Sequence, residues 1–241
     1  MSSLRTNDNI AMRYVEALLN NTKARIVAAA QSSGRDPESV TLLAVSKHQP
    51  ADAIIAAYRA GQRDFGESYL QEALAKQTEL IDYPIIWHFI GALQSNKTRQ
   101  VAQSFSWVHS VDRIKIAMRL NEQRPMALPP LNICLQVNIG EEYQKAGISP
   151  EELPTLAAQV QPLSRLRLRG LMALPPATKD SDEQHGYFHR MKSCFDGLRA
   201  QGYALDTLSM GMSTDLEAAI AEGANLVRIG TALFGDRPRD Q

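Results

Sequence analysis

The sequence contains few of the features that would place it outside the ordinary globular class. Its 241 residues include two cysteines, Cys134 and Cys194, whose spacing is typical of neither a disulfide framework nor a metal site, so we interpret both as core residues. Lysine and arginine together number 26, as do aspartate and glutamate, so no net charge attracts nucleic acid or an anionic membrane. These absences exclude a disulfide-rich domain and a protein that binds nucleic acid through overall charge.

Long apolar runs and flexible linkers are missing as well. No segment approaches the roughly 18 uncharged apolar residues of a membrane helix, and the first residues lack the apolar core of a signal peptide. No stretch is rich enough in proline, glycine or serine to act as a linker. We therefore expect a cytoplasmic protein with no membrane partner, forming one domain over residues 1–241 that includes a helical extension over about residues 1–35.

What the chain does contain is a regular alternation of short apolar runs and longer segments with apolar residues every three or four positions, typical of strands and helices. The candidate strands are 40–45, 62–65, 85–90, 107–110, 131–138, 167–172, 207–209 and 226–229. The candidate helices between them are 51–61, 68–80, 96–105, 112–123, 149–160, 184–202 and 214–223, and another precedes the first strand at about 9–30.

Eight strand–helix units in 241 residues predict a (β/α)8 TIM-type barrel. A doubly wound open sheet is the main alternative. Neither GxGxxG nor GxxxxGK[ST] follows a candidate strand, so the usual dinucleotide and P-loop signatures are missing, and the barrel is favoured.

Lys47 ends the apolar stretch LLAVSK at the end of the first candidate strand. A partly desolvated lysine loses some of its preference for the charged form, and its neutral amine is a nucleophile towards carbonyls. The alternative is that Lys47 has left the strand and extends into water, as most lone lysines do.

Two turns rich in glycine and hydroxyl groups, LSMGMSTD and RIGTALFG, follow the last two candidate strands. In many barrels these loops hold a phosphate through backbone N–H groups and small hydroxyls. A reactive lysine facing a phosphate site describes a ligand with an aldehyde and a phosphate. Pyridoxal 5′-phosphate (PLP) fits that description, and a phosphorylated sugar bound by a class I aldolase fits it as well.

Seven motifs then make the chain recognisable: LLAVSKHQP, FGESYLQE, WHFIGALQSNK, LQVNIGEEYQKAGI, RGLMAL, LSMGMSTDLEAAIAEG and VRIGTALFG. In this order they resemble the pyridoxal phosphate homeostasis proteins, a family related to the barrel domain of alanine racemase. The resemblance extends from about residue 40 to 235 and implies a barrel of PLP fold type III. It also implies that PLP forms a Schiff base with Lys47 and that Arg228 faces the pyridine nitrogen. The remaining cofactor-binding residues that it implies, in the two late turns, are Ser209, Met210, Gly211, Ser213, Gly230 and Thr231.

Arg228 bears on the expected activity. An arginine is always charged and only donates hydrogen bonds, so it favours an unprotonated pyridine nitrogen and leaves the ring a weaker electron sink. That suits a protein of PLP homeostasis, which carries the cofactor and supplies it to apo-enzymes without catalysis. The alternative function is a PLP-dependent amino-acid racemase. Without the resemblance, an ion pair with a neighbouring acidic residue would explain Arg228 equally well.

A two-base racemase needs a second acid/base opposite Lys47. In alanine racemase that group is a tyrosine from a separate β-domain, whereas this sequence ends at residue 241, soon after the last motif. Tyr69 or a residue of a partner subunit could substitute. We expect a monomer with negligible racemase activity.

Three further features remain. The family has FGEN where this chain has Ser68 in place of the asparagine, so no ring contact is assigned there. His185 and His189 lie four residues apart on a candidate helix without the glutamate of HExxH, which indicates a partly exposed face rather than a metal site. His88 is interpreted as a core histidine rather than a rim residue, and Asn96 and Lys97 recur in the family motif without an assigned role.

Overall fold

Eight parallel strands close into a barrel in chain order, with the first strand paired to the last, which confirms the predicted (β/α)8 fold. The computed structural model describes residues 2–141 and 146–235. The strands are β1 Thr41–Val45, β2 Asp64–Glu67, β3 Ile86–Phe89, β4 Trp107–Val111, β5 Leu131–Val137, β6 Leu166–Ala173, β7 Thr207–Ser209 and β8 Leu226–Ile229.

Helices follow the strands on the outside of the barrel. They are α1 Ser2–Ser32, α2 Ala51–Arg59, α3 Leu70–Glu79, α4 Thr98–Ser104, α5 Ile114–Gln123, α6 Leu153–Val160, α7 Ser181–Ala200, α8 Leu216–Ala221 and α9 Thr231–Phe234. Gly61, Gly202 and Gly223 end helices with positive φ angles of 94°, 93° and 102°, as their positions in the sequence predict.

The first helix is longer than the sequence pattern indicates, since α1 begins at Ser2 rather than near residue 9. It packs against α2, α8 and α9. The assignment of the whole chain to one domain stays a prediction. In the described part of the chain, no helix combines the length and apolar character that crossing a membrane requires.

The second strand lies two residues later than predicted. Gln62 is buried, and its side-chain amide donates to the carbonyl oxygens of Leu42 and Asp64, both at 2.7 Å, so it connects to β1 instead of pairing in β2. Glu67 lies beyond the predicted end of this strand, yet it is the last residue of β2 and is fully buried. A carboxylate directly after an apolar run is typical of a loop, so its place in the strand becomes predictable only once its buried partner is known.

The sixth helix begins four residues after the predicted start. Ser149 and Glu152 form the reciprocal bonds expected of a capping box, at 3.1 and 3.3 Å. Pro154 explains why the helix nevertheless starts at Leu153: it has no N–H to pair with the carbonyl of residue 150, whereas a proline is tolerated in the first turn.

The two cysteines differ in environment. Cys134 is completely buried on β5, and burial raises the pKa of its thiol to about 12. Cys194 lies on α7, is half-buried and packs against the core. The core interpretation therefore holds fully for Cys134 and partly for Cys194.

Candidate functional site

A cavity of about 320 Å³ lies at the C-terminal ends of the strands, where functional sites of (β/α)8 barrels collect. Lys47, which follows β1, and Arg228 of β8 both line it. The apolar part of its wall is formed by Val45, Ile90, Met172, Leu174 and Met212. A cationic end and an apolar wall together suit a flat, anionic small molecule.

Lys47 stands two residues beyond β1 and is half-buried. The backbone on both sides of it is fixed. The Ser46 carbonyl accepts a bond from the Lys76 ammonium at 2.7 Å, and the His48 N–H donates to Glu72 Oε1 at 2.6 Å. His48 has a φ of 62°, which is uncommon outside glycine and is held by this bond. The position of the Lys47 backbone is therefore set by α3 as well as by β1.

The interaction behind Lys47 is a buried ion pair between Glu67 and Lys76. Lys76 Nζ lies 2.8 Å from Glu67 Oε1 and 2.6 Å from Glu72 Oε1, so with the Ser46 carbonyl all three of its hydrogens have partners. The Ser46 hydroxyl also donates to Glu67 Oε1 at 2.6 Å. Burial raises the pKa of Glu67, and the Lys76 ammonium and the Ser46 hydroxyl oppose that rise. We refer to Ser46, Glu67, Glu72 and Lys76 as the outer network.

Arg228 is the other charged group of the cavity and is almost completely buried. It pairs in register with Leu43, so its backbone lies deeper in the barrel than Lys47. Its guanidinium donates to Ser209 Oγ and to the Ala173 carbonyl, both at 2.8 Å. Burial lowers its pKa to about 10, so it stays cationic at neutral pH. Within residues 2–141 and 146–235 it forms no ion pair, which removes the alternative explanation of this residue.

The turn after β7 brings Ser213 and Thr214 to the cavity wall. Asp215 closes this turn, since its carboxylate accepts the N–H of Met212. Arg25 of α1 supports the turn from outside by donating to the Ser213 carbonyl at 3.2 Å. The long first helix therefore helps to hold the turn that the sequence assigns to a phosphate.

Met210 and Gly211 lie below this turn rather than on the cavity wall, and both are buried. Gly211 has a φ of 95°, and a Cβ there would lie 2.5 Å from the Cβ of Ala219 on α8. Glycine is needed for the loop to pack against that helix. Gly211 therefore shapes the loop, and the assignment of Met210 and Gly211 as cofactor-binding residues stays a prediction.

Ser209 is where the structure departs from the expected site. It is completely buried and is not among the described residues that line the cavity. Its hydroxyl bonds His109 Nδ1 at 3.0 Å and accepts from Arg228 at 2.8 Å. If His109 accepts at Nδ1, the single hydrogen of this hydroxyl is used there, so this geometry does not support the phosphate-binding role that the resemblance implies for Ser209.

The turn after β8 supplies Gly230 and Thr231, which line the cavity as expected. Gly230 passes close to β1, where a Cβ would lie 3.3 Å from the Val45 carbonyl oxygen. Of the eight residues expected at the site, five line one cavity: Lys47, Ser213, Arg228, Gly230 and Thr231.

Comparison with known proteins agrees with this geometry. The family model described as alanine racemase, N-terminal domain, matches residues 19–238. The pyridoxal phosphate homeostasis protein of Pseudomonas aeruginosa is 62% identical over 214 residues, 89% of this chain and 92% of the relative. That of Escherichia coli K12 is 52% identical over 222 residues, 91% and 95% of the two chains. The chain belongs to the pyridoxal phosphate homeostasis protein family.

One relative of this family has been solved with a ligand. PipY of Synechococcus elongatus PCC7942, whose structure contains bound PLP, is 41% identical with a TM-score of 0.78, and the match covers 88% of this chain and all of PipY. This match confirms the barrel and the family relationship suggested by the seven motifs.

Several lining residues of this family member were not singled out from the sequence. Gln49, Leu174, Met212 and Thr214 line the cavity through loops whose course the pattern does not give. The sequence alone could have identified Val45 as a lining residue. It lies two residues before Lys47, and alternate side chains of an extended segment share a face. Ser68, the departure from the family motif, also lies on the cavity wall.

The other residues considered from the sequence, His88, His185, His189, Asn96 and Lys97, are not among the described residues that line the cavity. His88 is buried inside the barrel, as the core interpretation predicts. His185 and His189 both bond to Glu222 through Nδ1, at 2.8 and 3.1 Å. Asn96 and Lys97 are outside the cavity wall as described and keep no assigned role.

The outer network leads to a stability prediction. Lys76→Met removes the partner of a completely buried carboxylate, so we expect a loss of about 3 kcal/mol in the free energy of unfolding, measured by urea titration. The double variant Lys76→Met/Glu67→Gln should recover part of the loss because no buried charge is left unpaired.

Lys192→Met is the matched control, since Lys192 also pairs with an acidic residue four positions away but in an exposed setting. It should cost less than about 0.5 kcal/mol. Equal losses for the two single variants would contradict a special role of the buried pair.

Proposed function

We propose that this family member binds PLP in the cavity, covalently through Lys47 and with the pyridine nitrogen towards Arg228, and that it serves PLP homeostasis rather than catalysis. The observation that carries the proposal is the joint placement of Lys47 and Arg228 on one cavity of about 320 Å³. PLP supplies an aldehyde that reacts with amines and a ring that can accept electrons.

The residues present fit this cofactor. Lys47 is half-buried and can present a neutral amine to an aldehyde. The hydroxyls of Ser213, Thr214 and Thr231 lie on the wall formed by the two late turns and can donate to phosphate oxygens. Apolar side chains such as Met172 and Ile90 offer a surface for the ring. The phosphate site proposed here excludes Ser209.

The ionisable residues that line the cavity favour PLP homeostasis over racemisation. Among the described residues that line the cavity, Lys47 and Arg228 are the only ionisable ones. Arg228, charged and already donating to two neighbours, is unsuited to act as a base. Tyr69, the substitute considered from the sequence, is half exposed and is not among the described residues that line the cavity; its ring lies 5.0 Å from that of His48. These residues can bind the cofactor but supply no second base.

The cavity is open at its outer end, since Thr214 and Thr231 are solvent-exposed although they line it. An external amine can therefore approach Lys47 and take over the cofactor. This accessibility supports the supply of PLP to apo-enzymes. That the protein does so as a cytoplasmic monomer is also part of the proposal.

The first prediction concerns Lys47. Purified protein should bind PLP with the absorbance of a cofactor linked to lysine, and Lys47→Ala should abolish it because the amine is lost. Borohydride reduction followed by peptide mapping should place the pyridoxyl group on residue 47. Lys192→Ala, a lysine on the outer surface of α7, is the control and should keep the absorbance. A pyridoxyl group on another lysine would refute the assignment.

The second prediction concerns the phosphate. Ser213→Ala should weaken PLP binding by about tenfold, because a charged oxygen loses a donor. Pyridoxal, which lacks the phosphate, should bind the parent and the variant equally weakly, as measured by absorbance titration. Ser193→Ala, whose hydroxyl bonds within α7, serves as the control and should change neither affinity. If Ser213→Ala weakened pyridoxal and PLP to the same extent, the phosphate would lie elsewhere.

A further inference from the structure

A continuous row of hydrogen bonds crosses the interior of the barrel beneath the cavity. From Arg228 it passes to Ser209 at 2.8 Å, to His109 at 3.0 Å, to His88 at 2.9 Å and to Asp64 at 3.0 Å. These five side chains come from β8, β7, β4, β3 and β2. No motif in the sequence links them, and the proposed binding of PLP uses only the first.

The donors in this row all point the same way. Arg228 can only donate, so Ser209 Oγ accepts from it and has its single hydrogen left for His109 Nδ1. A neutral His109 that accepts at Nδ1 carries its hydrogen on Nε2, where it donates to His88 Nδ1. His88 then carries its hydrogen on Nε2 and donates to the Asp64 carboxylate. Every bond in the row is satisfied by this one arrangement.

Burial favours the neutral form of both rings. Burial lowers the pKa of His88, against the pull of Asp64, and it lowers the pKa of His109 well below the usual range, helped by the positive charge of Arg228. His88 is also stacked on the ring of Trp107, with centroids 5.3 Å apart and planes at 8°. The charged groups that act on the row are Asp64 at one end, Arg228 at the other, and Asp215, whose carboxylate acts on Arg228.

The row joins two faces of the molecule. Arg228 lines the cavity at the C-terminal face, whereas Asp64 is the first residue of β2 and lies at the N-terminal face with a quarter of its side chain exposed. The row thereby connects the buried guanidinium of Arg228 to the Asp64 carboxylate near solvent. Arg228 has no ion-pair partner among the described residues.

We infer that Ser209, His109 and His88 are positioning residues, which hold the guanidinium of Arg228 towards the cavity by a one-directional row of hydrogen bonds ending at Asp64. This inference rests on the proposed function, since the group positioned by Arg228 is the pyridine nitrogen of PLP. It also explains why a completely buried serine ends β7, directly before the turn that reaches the cavity: its hydroxyl orients Arg228 rather than a phosphate.

The direction of the row is tested first on protein without ligand. Nitrogen-15 NMR of the imidazole rings should show His88 and His109 neutral and protonated on Nε2, unchanged between about pH 6 and 8. The two rings are assigned by the signals lost in His88→Gln and His109→Gln. A hydrogen on Nδ1 of either ring, or a titration in this range, would overturn the inference.

The positioning role is tested by replacing His109. His109→Leu leaves the Ser209 hydroxyl without its acceptor, so we expect PLP affinity to fall by about tenfold and the absorbance of bound PLP to change its response to pH. His109→Gln can still accept from Ser209 and donate to His88, and it should keep the parent spectrum and an affinity within about threefold of the parent.

Ile133→Ala is the control for general destabilisation, because Ile133 is buried on β5 outside the row. It should lower stability by a few kcal/mol and leave the spectrum of bound PLP unchanged. A His109→Leu variant that binds PLP with the parent affinity and spectrum would overturn the positioning role alone. A parent protein that binds no PLP at Lys47 would overturn the proposed function as well, so the two failures are distinguishable.

Discussion

The buried positive charge of Arg228 is the constraint on which the candidate site depends. Removing a guanidinium from water is costly unless its hydrogens find partners, and here Ser209 and the Ala173 carbonyl provide two. Closure of the barrel makes this possible, since it brings β6, β7 and β8 side by side. With its inner hydrogens satisfied, the guanidinium retains donors for the cavity and little tendency to lose a proton.

Two polar networks fix the two ends of the proposed cofactor site. The row beneath Arg228 lies inside the barrel, whereas the outer network lies behind β1 and β2 and holds the backbone on either side of Lys47. Neither Lys76 nor His109 is among the described residues that line the cavity. Lys76 bonds to Ser46, the neighbour of Lys47, and His109 bonds to Ser209, which in turn bonds to Arg228. Such arrangements let a binding site be rigid while its opening stays accessible to other amines.

Much of the fold could be predicted from the sequence because strand and helix periods are local properties. The strands at 207–209 and 226–229 match to the residue. The position of β2 was predicted wrongly because two polar side chains near its ends are buried with partners outside the strand. Gln62 bonds to β1, and Glu67 pairs with Lys76. The same reason explains Ser209, whose partner His109 lies 100 residues away, so no local pattern could distinguish it from Ser213.

The most direct test of the account is the exchange of the α-proton of alanine in deuterated water by the PLP-loaded protein, followed by NMR. A donor at the pyridine nitrogen leaves the ring a weak electron sink, which predicts exchange no faster than with free PLP, while the loaded protein restores activity to an apo-enzyme. Rapid exchange that disappears in Lys47→Ala would contradict it and establish that the protein catalyses carbanion chemistry with the bound cofactor.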